Sequence, residues 1–171
     1  MEKGIALKNL NDLQKIFPKA FLVYGSCLGA IREGDIIDWD LDTDMGILAK
    51  DFDKKKVEEA KKIGFRVIHT KGTLTDGYEV AFGRDGVKTD LFLFYDGGKY
   101  YWNALWDRKK KIIHLYPKEL IQPQKIQIGK YVFNCLGENY VRYVYGPNWK
   151  IPKKDFDWRT DHQCKRLEKI L

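Results

Sequence analysis

GSCLGAIREGDIIDWDLDTDMGI, residues 25–47, gathers Glu33, Asp35, Asp38, Asp40, Asp42 and Asp44 around Trp39. Carboxylates crowded on a partly apolar stretch repel one another unless they form a solvated turn or face a cation. The pattern around them decides. LDTDMGIL (41–48) alternates, with Leu41, Thr43 and Met45 on one side and Asp42 and Asp44 on the other, which predicts a strand with one carboxylate face. Just upstream, FLVYG (21–25) is a short apolar run closed by glycine, and reads as a buried strand. Ser26 then caps a short helix, CLGAIRE, which stops at Gly34.

Working outward, IALKNLNDLQKIF (5–17) sets Ala6, Leu10, Leu13, Ile16 and Phe17 at near-helical spacing and ends at Pro18. Residues 51–63 predict an amphipathic helix buried through Phe52, Val57, Ala60 and Ile63, and GFRVIHT follows as a strand. YEVAF (78–82) and VKTDLFLFY (87–95) flank Gly83-Arg84-Asp85-Gly86, a hairpin turn carrying Asp-Gly. Two more hairpins are expected, KYYWNALW with KKIIHLY around Asp107, and IQIGKYVFN turning at Gly129-Lys130. ENYVRYVYG (138–146) reads as a helix ended by Gly146 and Pro147, and the tail from Asp155 as partly helical. The fold class is α+β in one domain spanning 1–171, with a core over 6–155 and a tail over 156–171.

Composition narrows the functional classes. The 171 residues, 44% hydrophobic and 32% charged, are ordinary for a globular protein. The net charge of +7 favours an anionic partner without choosing among nucleotide, nucleic acid and phosphorylated polymer. The basic runs Lys54–Lys56 and Arg108–Lys111 read as a solvated helix face and a hairpin end. Cys27, Cys135 and Cys164 have neither disulfide-framework nor metal spacing. The N-terminal residues lack an apolar signal core and no stretch is long enough to span a bilayer, so a cytoplasmic protein is expected.

Chemistry concentrates at four places. Glycine and serine between a strand and a helix, Gly25-Ser26, turn backbone N–H groups outward at a helix N-terminus and so seat a phosphate. Asp42 and Asp44, two apart on a strand, have Cα atoms roughly 6.6–6.8 Å apart, and carboxylates leaning inward from there can share a pair of Mg²⁺ ions about 3.5–4 Å apart. Asp40 continues the alternation, but three alternate strand residues cover about 13 Å. It is therefore given, with Trp39, an outer position that orients substrate. Asp90 lies among Leu91, Phe92, Leu93 and Phe94, where a lone carboxylate is costly unless paired or metal-bound. It is the candidate third ligand; the alternative is a buried ion pair with Lys88 or an arginine elsewhere.

These residues in this order resemble the nucleotidyltransferase superfamily, and more closely its LicD/fukutin-type family. The family motif, roughly G-[GTS]-x-L-G-x-x-R, a glycine-containing turn, then I-x-W-D-x-D-x-D, is met by Gly25 to Arg32 and by Ile37 to Asp44. Glu138-Asn139-Tyr140 through Tyr145-Gly146-Pro147-Asn148-Trp149 to Pro152 is similar to the family's C-terminal YG-containing segment. Two departures stand out: Asp38 replaces the usual proline before the tryptophan, adding charge at the mouth of the site, and the chain is short, which suggests a pared-down acceptor region.

The resemblance implies a mixed β-sheet flanked by helices, with antiparallel hairpins in the second half. It implies transfer of a phospho-alcohol from a CDP-alcohol, such as CDP-choline or CDP-ribitol, to a sugar hydroxyl of a glycan or glycopolymer, with release of CMP. Asp42, Asp44 and Asp90 would hold one or two Mg²⁺ ions, with Mn²⁺ an acceptable substitute, and Asp90 would help deprotonate the acceptor. Gly25 and Ser26 would bind phosphate, and Arg32 would contact phosphate or brace the aspartate loop. Two other readings stay open. One is transfer of NMP from an NTP to a small molecule, RNA or protein; the other is a non-catalytic module binding an anionic polymer or nucleic acid. His69, His114 and His162 are expected to be structural. Trp102, Trp106, Trp149 and Trp158 are candidates to stack on base or sugar, and Glu79 either lines the site or faces solvent.

Overall fold

The computed structural model describes residues 1–108 and 110–170; Lys109 of the second basic run and Leu171 at the end of the tail lie outside them. The elements run in the order α1 (Lys3–Ile16), β1 (Phe21–Leu22), α2 (Tyr24–Arg32), β2 (Asp42–Leu48), α3 (Lys55–Lys62), β3 (Arg66–Thr73), β4 (Asp76–Arg84) and β5 (Val87–Asp96). Then follow β6 (Tyr100–Asp107), β7 (Lys110–Pro117), β8 (Gln124–Ile128), β9 (Tyr131–Cys135), α4 (Glu138–Tyr145), α5 (Trp158–Asp161) and β10 (Arg166–Ile170). This is an α+β fold. The strands form a continuous mixed sheet in the order β10-β7-β6-β5-β2-β1-β9-β8, with the β3–β4 hairpin branching from β5.

The branch point matters for function. The first part of β5 lies between β2, its parallel partner from Asp42↔Lys88 to Leu48↔Phe94, and β4, its antiparallel partner. Its last residues, Tyr95 and Asp96, pair instead with β6. Period-2 alternation then sorts the side chains of β2 and β5. Thr43, Met45 and Ile47 meet Thr89, Leu91 and Leu93 on the buried face, where the two threonine hydroxyls hydrogen-bond at 2.8 Å. Asp42 and Asp44 meet Lys88 and Asp90 on the opposite face.

Helix α1 covers the core through Ala6, Leu10 and Leu13, which its 3.6-residue period brings to one side; Glu2 caps it by accepting from the amides of Gly4 and Ile5. The Asp85-Gly86 turn joins β4 to β5 with both residues at positive φ (52° and 77°), the geometry a tight two-residue hairpin requires.

Several expectations need correction. The strand at FLVYG is only Phe21–Leu22, and the helix begins at Tyr24 with Val23 as its cap, so Gly25 and Ser26 sit within the first turn and Ser26 caps nothing. Tyr24 adopts φ 43° there. A buried tyrosine in that strained region is held by its own contacts: its hydroxyl bonds Asn103 (3.0 Å) and Tyr116 (2.8 Å). The helix expected over 51–63 starts only at Lys55, after a short 3-10 turn at Ala49–Asp51. The tail is partly helical, through α5, and in addition carries β10, which pairs antiparallel with β7 along Arg166–Ile170. Lys111, read as part of a solvated run, is 2% exposed, pairs with Asp76 and lies over the Trp102 and Trp106 rings. Among the described residues no helix is long and apolar enough to cross a membrane.

Candidate active site

The sheet register assembles the site. Asp44 on β2, Asp90 on β5, Ala81 on β4 and His69 on β3 stand opposite one another in a single cross-strand row. Asp42 and Lys88 occupy the neighbouring row, and Glu79, two residues before Ala81, joins from β4. A cleft of about 970 Å³ opens over these rows, lined at its floor by Asp40, Asp42, Asp44, Lys88 and Asp90.

One ammonium ion ties the floor together. Lys88 Nζ lies 2.8 Å from Asp42 Oδ2 and 2.7 Å from Asp90 Oδ2, and these two carboxylates raise its pKa. The lysine partner that the sequence offered Asp90 as an alternative is therefore present. It does not complete the cluster. Asp90 is only 6% exposed, and its Oδ1 has no hydrogen-bond partner among the described residues. Burial pushes the Asp90 carboxyl above the usual range despite Lys88. Asp44 is held well above it, first by burial and then by the charges of Asp42, Asp90 and Asp40. Asp40 is raised to about 6 by burial and by Asp42 and Glu33. One lysine among this many carboxylates leaves a strong demand for further positive charge. Asp42, Asp44 and Asp90 offer oxygen alone, the donor type that Mg²⁺ or Mn²⁺ takes, although among the described residues the group whose ligand atoms all lie within 4.8 Å of one another is His69, Glu79 and Asp90.

The start of α2 anchors this floor. Ser26 is 2% exposed and its hydroxyl accepts from the Asp44 amide at 2.9 Å, while the Val23 amide donates to the Asp44 carbonyl at 3.2 Å. The serine thus braces the strand that carries the carboxylates, and backbone amides are what the helix start can turn to a phosphate. Gly25 is needed for close approach: a Cβ there would lie 2.7 Å from Asp40 Oδ2 and 3.6 Å from Asp44 Oδ2. The Asp40 carboxylate consequently rests on the positive end of α2. The 13 Å argument that set Asp40 apart does not apply, because residues 38–41 form a turn before β2 rather than an extension of it.

Arg32 acts as a brace, although not of the aspartate loop. Its guanidinium donates to Glu33 (2.6 Å) and to the Trp149 carbonyl (3.3 Å), tying α2 to the segment after α4. Asp38 pairs with Lys3 at 2.6 Å, outside the cleft, so the departure from the family's proline adds no charge to the site. Trp39, Trp106, Trp149 and Trp158 all line the cleft, with Lys153 and Lys154 at its rim. Trp102 stacks on Tyr95 instead (centroids 4.4 Å apart).

Two residues were undervalued in sequence. Glu79 is 5% exposed and its carboxylate meets His69 Nε2 at 3.0 Å, both at the cleft wall. The alternation Tyr78-Glu79-Val80 carried the signal for Glu79, but His69 reaches it only through the β3–β4 pairing. His114 is buried against Tyr24 and Tyr116, outside the cleft lining, whereas His162 stacks on Tyr24 (5.3 Å) and also borders the cleft.

Comparison with known proteins identifies the family of the chain. Residues 19–135 match the family model described as LicD/FKTN/FKRP, nucleotidyltransferase domain. Ribitol-5-phosphate transferase FKTN from Macaca fascicularis and from Homo sapiens are each 34% identical over 158 residues, covering 91% of this chain. The Mus musculus protein of the same name is 33% identical over 160 residues. The chain spans about a third (34%) of the length of these relatives. With β1, α2, β2, β5 and the carboxylate floor all inside the matched region, the chain belongs to the LicD/FKTN/FKRP family of nucleotidyltransferase-fold domains.

Proposed function

We propose that this chain moves a phospho-alcohol, phosphocholine- or ribitol-phosphate-like, from a CDP-alcohol to a sugar hydroxyl of a glycan or glycopolymer, releasing CMP. The observation that carries the reading is that Asp42, Asp44 and Asp90 line one cleft from two adjacent strands, in a family whose similar relatives are named ribitol-5-phosphate transferases. A cleft of about 970 Å³ is at the upper end for a ligand site and leaves room for donor and acceptor together.

Asp42, Asp44 and Asp90 would hold magnesium. Its chemistry, when bound, is to neutralise charge on the transferring phosphoryl group and fix the attacking and leaving oxygens. The amides at the start of α2 would take a donor phosphate oxygen once the Asp40 carboxylate, which lies against Gly25, draws aside. Asp90, lining the same cleft, would help deprotonate the incoming hydroxyl. Asp40 orients the substrate from above Gly25. Arg32 holds the Trp149 wall in place, and the cleft tryptophans offer faces for base and sugar.

The test is incubation with Mg²⁺ and, in parallel, CDP-ribitol, CDP-choline or ATP, with and without a glycan acceptor. Acceptor-dependent CMP supports the reading. Pyrophosphate from ATP, without CMP, would replace it with nucleotidyl transfer.

A further inference from the structure

Beside the aspartate pair, a second group of ligand-type side chains remains unexplained by the transfer chemistry. His69, Glu79 and Asp90 come from three adjacent strands, and each offers a ligand atom within 4.8 Å of the other two. The register explains why they meet. His69 and Asp90 both stand opposite Ala81, whose small side chain leaves the space between them open, and Glu79 fills in from the same face of β4. A hydrogen bond between His69 Nε2 and Glu79 Oε1 at 3.0 Å accounts for two of the three. It leaves Asp90 Oδ1 buried and unpartnered among the described residues, in a side chain only 8% exposed. A second cation resolves all three at once.

We propose that His69, Glu79 and Asp90 form a binding site for one divalent transition-metal ion, Zn²⁺ or Mn²⁺, separate from the magnesium held by Asp42 and Asp44. One imidazole with two carboxylates is a donor set for zinc or manganese rather than for magnesium, which prefers oxygen alone. Ligand atoms around tetrahedral zinc are about 3.4 Å apart. The three atoms therefore need to draw together by little more than an ångström, and His69, about a third exposed, already lines the cleft. Asp90 would face both ions, one carboxylate bridging two metals about 3.5–4 Å apart. With neutral imidazole, the two carboxylates balance the charge of one ion. The side of Asp90 away from Asp44 is then a place for an acceptor hydroxyl to bind. The site itself rests on the cluster alone and not on the identity of the donor.

The experiment is calorimetric titration of Zn²⁺ into the chelator-stripped full chain in the presence of excess Mg²⁺. One equivalent should bind. His69→Ala and Glu79→Gln should each weaken that binding by roughly 100-fold or more, since even an outer hydrogen-bond partner of a metal ligand costs about 10–100-fold. Glu79→Gln is isosteric and His69 is on an outer strand of the sheet, so circular dichroism should show both folded. A wild-type chain that binds no zinc over magnesium, or variants that bind it as tightly as wild type, would overturn the proposal. If no zinc bound, CMP release by the same chain in magnesium would keep the transferase reading intact.

Discussion

Replacing Lys88 by methionine removes the ammonium that lies between Asp42 and Asp90 while keeping the side chain's length. Breaking a buried charge pair from one side costs about 3–5 kcal/mol. Lys88 is 35% exposed and Asp42 39%, so solvent screening reduces the loss to roughly 1–3 kcal/mol. For a chain of this size each kcal/mol moves the melting temperature by about 2–4 °C. Lys88→Met in EDTA should therefore melt several degrees below wild type. The same carboxylates would now lack their internal competitor for a divalent cation. Added Mg²⁺ should recover the loss, since ligand at about 100 times its Kd contributes roughly 2.7 kcal/mol. The assay is differential scanning fluorimetry of both proteins across a Mg²⁺ titration. If Lys88→Met melts with wild type in EDTA and Mg²⁺ moves neither protein, the reasoning that these carboxylates need a cation is refuted.

Other outcomes follow from the same geometry. Ser26→Ala leaves the Asp44 amide without its partner and should cost about 1–3 kcal/mol in urea unfolding; an unchanged midpoint would remove the brace assigned to Ser26. Gly25→Ala puts a methyl group 2.7 Å from Asp40 Oδ2, and the side chain can retreat, so stability should change little. Activity should fall roughly 100-fold, the scale of a 1 Å misplacement in a site, and CMP release at wild-type rate would count against Asp40 as a working residue. Asp40→Asn tests the sign of the charge argument. The folded carboxyl titrates near 6, so between pH 4 and 6 the native state binds more protons than the unfolded one, and wild-type stability falls as pH rises through that window. The asparagine variant escapes this. It should match wild type below pH 4 and exceed it by roughly 1–2 kcal/mol above pH 7, after discounting for solvent screening; equal stability at pH 8 would contradict the crowding of charge.

The parts that could be read in sequence are those where a short-range period does the work. Carboxylates interrupt the apolar alternation at 41–48 and 87–95, and so betray both the strands and the face that Asp42, Asp44 and Asp90 share. Asp85-Gly86 announced its hairpin for the same local reason. What escaped depends on pairings set elsewhere in the chain. Ser26 looks like a cap until β2 is placed beside it and its hydroxyl meets the Asp44 amide. Asp40 looks remote along an extended strand and becomes near only because the chain turns before Asp42. His69 reaches Glu79 and Asp90 across three strands, past an irregularity in register between Val67 and His69. β10 is a short edge strand with exposed Leu167, whose pattern of alternating charge offers no strong local signal and whose pairing to β7 is tertiary.

The most direct test of the central claim is Mg²⁺-dependent release of CMP from a CDP-alcohol by wild type and by Asp44→Asn, each shown folded by circular dichroism. The account expects CMP from wild type that stops with EDTA, and a rate lower by at least about 100-fold in the variant. Release by Asp44→Asn at the wild-type rate, or wild-type release untouched by EDTA, would contradict it.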